Sequence, residues 1–169
     1  MCDADPIDLT DPETEDVVER AAARASALVD RIDQLNGIVV IPAPVLAEYL
    51  VGISRDAYQE QLNLLNSFSC IEIVPFDEMA AIECALLVDE QEHRSLDPDA
   101  TKAKLRFDRQ ILAIAIASGA DELWTHDKGL FNKARASGVS INSLASITPV
   151  PDQQSFELPA DEDEKGDDD

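Results

Sequence analysis

None of the 169 residues lies in an apolar run approaching the roughly 20 residues that a membrane helix needs, so no membrane insertion is expected. The opening stretch, MCDADPIDLTDPETED, lacks any basic residue or apolar block; it is not a secretory leader, and a cytoplasmic location is the expectation. Cysteine is scarce. Cys2, Cys70 and Cys84 are odd in number and lack CxxC spacing, which supports neither a disulfide framework nor a zinc site, and Cys70 and Cys84 read as buried thiols. The aromatics form no stacking ladder of the kind that single-strand binders use, so Phe107 and Trp124 read as core residues. Bases are also few, 13 Lys and Arg against 35 Asp and Glu, for a formal net charge of -22. Broad affinity for nucleic acid is not expected of such a chain, because phosphate contacts require clustered Lys and Arg.

The acidity is unevenly spread. Residues 1–19 hold eight acids and no base, and residues 156–169 hold eight acids and one base. Beyond about Pro149, prolines and an acidic run predict a disordered tail over 151–169, which cannot bury enough surface to offset its ordering entropy. The remaining 1–150 is one domain's worth of chain, with one core. One basic island interrupts the acids: TKAKLRFDRQ carries Lys102, Lys104, Arg106 and Arg109 around Asp108. A solvated helix face explains this island as well as a phosphate contact does.

Apolar spacing predicts a helix from Pro12 to about Leu35, closed at Asn36-Gly37, then a short strand IVVIP and a helix APVLAEYLVGI ending near Gly52. The helix AYQEQLNLLNSF, the strand CIEIVPF and the helix DEMAAIECALLVDEQEH follow, then a loop SLDPDAT. A buried helix FDRQILAIAIASG opened by Asp108, a strand DELWT, a helix DKGLFNKARASG and a strand VSINSL complete the pattern. Strands alternating with helices predict an α/β fold with a parallel sheet covered on both faces.

In such a fold a helix start and the end of the following strand share one edge. From Asp108, about ten residues at 1.5 Å carry the chain down and about five at 3.3 Å bring it back, so Asp127 is expected near Asp108. Glu48, about one turn into the helix after IVVIP, lies over the same edge, where ligands of parallel sheets bind. Taken singly, these acids read as a helix cap, a turn former and a solvated helix residue. Together they repel, and a hard divalent cation, Mg²⁺ or Mn²⁺, is the simplest remedy. Thr125 is either a plain strand residue or a hydroxyl that orients Asp127. His126 and His93 are assigned no role.

VVIPAPVLAEYLVG around Glu48, KLRFDRQILAIA around Asp108 and ELWTHDKGL around Asp127 resemble the PIN-domain ribonucleases, especially the VapC-like toxin subunits of type II toxin-antitoxin pairs. The resemblance covers about Pro12 to Pro149. It implies a three-layer α/β/α fold, Mg²⁺ or Mn²⁺ held by Glu48, Asp108 and Asp127, hydrolysis of RNA, an antitoxin partner and often a homodimer. Lys104, Arg106 and Arg109 would then contact the RNA backbone. The sequence departs from the family in lacking the apolar first strand that ends in a metal-binding aspartate. Either that strand lies upstream or Asp3 or Asp5 stands in; the first is favoured, because a sheet without its middle strand leaves backbone groups unpaired. A catalytically inactive PIN-like module that binds a protein or RNA is the alternative reading.

Overall fold

A computed structural model describes residues 9–88 and 101–149, with backbone only for 101–105. The acidic tail, His93, Asp3 and Asp5 therefore lie outside the described residues. Among the described residues four short strands alternate with helices, and both strand pairings are parallel, as the α/β pattern predicts. β1 (Val39–Pro42) pairs with β2 (Ile71–Val74) in the register Val39 to Ile71, and β3 (Glu122–Trp124) pairs with β4 (Ser140–Asn142) in the register Glu122 to Ser140. These are two separate sheets, not one: among the described residues no strand bonding joins β1 to β3.

α1 (Ala21–Gln34) starts later than its periodicity predicts. Asp11 explains the difference, because its side chain competes with the helix for local donors. It accepts from Thr14 Oγ1 at 3.0 Å, and Glu15 N–H bonds the Asp11 carbonyl at 2.9 Å, so residues 11–16 make a turn. Val18 N–H then reaches the Leu9 carbonyl at 2.7 Å, and left-handed Arg20 (φ 56°) redirects the chain into α1. The other end of α1 stops as predicted: Asn36 is left-handed (φ 54°), and Gly37 N–H returns to the Ile32 carbonyl at 2.9 Å.

α2 (Ala43–Val51), which has a proline in its first turn, follows β1 directly, and α3 (Tyr58–Asn66) leads to β2. α4 (Glu78–Leu86) is capped by Asp77, whose carboxylate accepts from Ala80 N–H at 2.9 Å. The next described helix, α5 (Thr101–Ala117), corrects the reading that Asp108 opens it: TKAKLR is already helical, as its residue types favour. Asp108 thus sits about 10 Å along the helix. The core forms where Ile111 and Leu112 of α5 meet Leu130 and Ala134 of α6 (Lys128–Ala136), with Phe107, Leu123 and Ile141 packed around them. Cys70 is buried as expected, whereas Cys84 and Trp124 are only half-buried. Among the described residues no helix is long and apolar enough to cross a membrane.

Candidate functional site

The turn from β3 into α6 sets the site. Thr125 Oγ1 accepts the Asp127 N–H at 3.1 Å. Asp127 then caps α6, its Oδ1 accepting from Leu130 N–H at 3.0 Å. That bond fixes one carboxylate oxygen at a helix amino end, where the helix dipole favours negative charge. Asp108 approaches from α5, buried to 5% exposure.

Gly129 shows how close the two acids come. A Cβ on Gly129 would lie 3.0 Å from Asp127 Oδ1 and 3.5 Å from Asp108 Oδ2, so oxygens of both carboxylates surround one point that only a missing side chain leaves open. Two ionised carboxylates so placed repel, and a cation or shared proton relieves them. A magnesium-sized ion suits this donor set, since it binds through one or two carboxylates and keeps waters for its other positions.

Glu48 lies on α2, exposed, and lines the same groove as Asp108 and Asp127. It does not close a compact cluster with them: among the described residues, no three His, Cys, Asp or Glu side chains are arranged to hold a metal. Arg106 is exposed and Arg109 half-buried one turn apart on α5, while the Lys104 side chain lies outside the described residues.

A profile described as the PIN domain matches residues 15–136. The chain belongs to the PIN domain family. No curated protein matches it. Among solved structures this PIN domain is similar to DNA-bound VapBC from Salmonella typhimurium, with 20% identity, coverage of 70% of this chain and 84% of that chain, and a TM-score of 0.47. It is also similar to VapBC2 from Rickettsia felis bound to a DNA fragment from their promoter, with 24% identity, 70% and 85% coverage, and a TM-score of 0.46.

Three residues of this PIN domain were not singled out by sequence reasoning. Gly129 stood inside the quoted ELWTHDKGL, and a glycine in the first turn of a helix, where it costs helix propensity, was the available signal. His126 is half-buried with both ring nitrogens used: Nε2 accepts the Leu144 N–H at 3.2 Å, so Nδ1 carries the proton and donates to the Thr10 carbonyl at 3.0 Å. It ties the amino-terminal turn to the segment after β4. Asp11 is the third, an acid at the strands' carboxyl edge, but Ser143 Oγ donates to it at 2.7 Å and Thr14 Oγ1 at 3.0 Å. Those bonds, the Ser143 bond above all, hold its carboxyl below its ordinary value against the opposing effect of burial, and they give it a structural role.

Proposed function

We propose that the chain is a metal-dependent ribonuclease of PIN type that hydrolyses RNA phosphodiester bonds, acting as the toxin of a toxin-antitoxin pair. The observation that carries the reading is the convergence of Asp108 and Asp127 on the space Gly129 leaves open. Mg²⁺ or Mn²⁺ would be held by these two carboxylates, with Glu48 as third donor from the β1 side. Such an ion, when bound, supplies positive charge to the phosphoryl oxygens and acidifies the attacking water.

The chain's own groups do the rest. Thr125 and the Leu130 N–H hold Asp127 in place before substrate arrives, so little reorganisation is needed on binding. The amino end of α6 favours a phosphate beside the acids. Arg106 and Arg109, with Lys104, hold the RNA backbone on either side. The apolar side chains that α2, α3 and α4 expose, Tyr49, Val51, Leu64, Met79, Ile82 and Leu86, offer surface for an antitoxin or for a second copy of the chain.

RNA cleavage with added Mn²⁺ tests the reading. Asp108→Asn and Asp127→Asn should each lower the rate at least about a hundredfold and Glu48→Gln about tenfold, in the range of lost electrostatic and acid-base contributions. Unchanged cleavage in Asp108→Asn would falsify the assignment. The absence of a compact three-ligand cluster among the described residues favours a second reading, a PIN module that binds without cutting. Mn²⁺ titration separates the two, since such a module gains no thermal stability from the metal.

A further inference from the structure

Three residues, Thr125, His126 and Asp127, join β3 to α6, and Asp127 is the last of them. The ends of this turn are anchored locally. Thr125 N–H donates to the Asn142 carbonyl of β4 at 3.1 Å, and Asp127 Oδ1 accepts from Leu130 N–H at 3.0 Å. The middle residue reaches further: the His126 ring, through Nδ1 to the Thr10 carbonyl and Nε2 to the Leu144 N–H, spans two segments that lie 116 and 18 residues away in sequence.

Those two segments are also bonded to each other. Asp11, the neighbour of Thr10, accepts from Ser143 Oγ at 2.7 Å, and Ser143 is the neighbour of Leu144. The path from His126 through Thr10, Asp11, Ser143 and Leu144 back to His126 is therefore a closed ring of three hydrogen bonds and two peptide links, with Asp11 and Ser143 each only 8% exposed. Hydrogen bonds shielded from water support one another, and in a closed ring no member moves without straining the rest. Arg24 of α1 fastens the far side, donating to the Ala145 carbonyl at 3.0 Å and to the Ile147 carbonyl.

The ring stands beside one of the two acids that most need it. Donors to a cation must be held within about 0.5 Å of their working positions, and connecting segments are the most mobile part of a fold. Asp108 is fixed by a packed helix, whereas Asp127 stands at the end of a turn. We propose that His126 is a positioning residue, which closes this ring and thereby fixes the turn that presents the Asp127 carboxylate to Asp108. The purpose of the restraint, a preset pair of donors for a cation, rests on the ribonuclease reading; the restraint itself does not.

Amide hydrogen exchange and Mn²⁺ binding test it on the full chain. His126→Ala and Ser143→Ala, which open the ring at different points, should each speed exchange at the Asp127 and Leu130 amides at least about tenfold relative to Ala134, further along α6. Each should weaken Mn²⁺ binding at least about tenfold, as loss of a group that orients a metal ligand does. The double variant should add less than about twofold to the larger single effect, because a ring opened once is already open. Asp11→Asn keeps an acceptor for Ser143 and should match the unaltered chain in both measurements. Equal acceleration at Ala134 would mean general loosening and overturns the proposal, as does unchanged exchange at Leu130 or undiminished Mn²⁺ binding in both variants. If His126→Ala does not fold, Ser143→Ala, which removes one hydroxyl, decides alone. If the unaltered chain binds no Mn²⁺, the ribonuclease reading fails, and the exchange pattern still decides whether His126 holds the turn.

Discussion

Around β3 and β4, helices α5 and α6 bury Ile111, Leu112, Leu130, Phe131 and Ala134, Leu112 and Ala134 completely. Around β1 and β2 the same local plan, a parallel pair joined through helices, buries no residue of α2 or α3 and leaves Tyr49, Val51 and Leu64 exposed. Apolar burial contributes about 25 cal/mol per Å², so the two halves cannot contribute equally to stability. The β1–β2 half meets the packed half chiefly where α4 packs against α5, and also where α5 meets β1. The placement of the acids follows this division. Asp108 and Asp127 stand on the packed half, where neighbours fix their rotamers, while Glu48 stands on the other.

The sharpest way to break this comparison is a pair of matched truncations. Leu112→Ala empties a fully buried position at the centre of α5 and should cost about 3 kcal/mol. Leu64→Ala, on α3 and 52% exposed, should cost no more than about 1 kcal/mol. Urea unfolding measures both, and equal losses would show that the halves share one core after all.

Gly129→Ala tests whether the chemistry resides in the packed half. A methyl group at that point must push Asp127 Oδ1 aside by a few tenths of an ångström and intrude between the two acids. Alanine also favours the helix, which offsets the disturbance of the Asp127 cap, so stability should change by less than about 1 kcal/mol. The Mn²⁺-dependent rise in Tm should be lost and cleavage should fall at least about tenfold. Retention of both would mean that the space beside Gly129 is incidental.

How far the sequence could anticipate this division depends on which signals are local. The strand and helix rhythm, the stop at Asn36-Gly37 and the approach of Asp127 to Asp108 follow from periodicity and chain geometry, and all are legible in advance. The start of α5 is hard to place from sequence because Pro98 and the acids before Thr101 favour a longer loop, although TKAKLR has good helix formers. The start of α1 was missed because its apolar spacing runs unbroken from Val17 while Asp11 redirects the backbone. His126 and Asp11 could not be interpreted at all, since their partners Leu144 and Ser143 are 18 and 132 residues away in sequence.

Those long-range bonds provide the gentlest test. Among the described residues the amino-terminal turn is fastened to the packed half: Thr10 to His126, Asp11 to Ser143, Glu13 to Arg135 at 2.6 Å, and Glu15 to Lys128. Asp11 has its carboxyl held below its ordinary 3.8, chiefly by Ser143. A depressed carboxylate stabilises the fold fully above its unfolded value and loses that contribution as pH falls through the folded one. Acidification below about pH 4 should therefore loosen the turn, with amide exchange rising first at Thr14 and Val18. Asp11→Asn should remove that pH dependence at a cost of about 1 kcal/mol at neutral pH, because an amide oxygen still accepts from Ser143. Glu15 is also held low, by the Lys128 ammonium, but on an open surface where water and salt screen the pair. Glu15→Gln should leave the unfolding midpoint unchanged within error. If it shifted the midpoint as much as Asp11→Asn, the turn would be anchored by surface charge, and the buried Asp11–Ser143 bond would lose its claim to join the turn to the core.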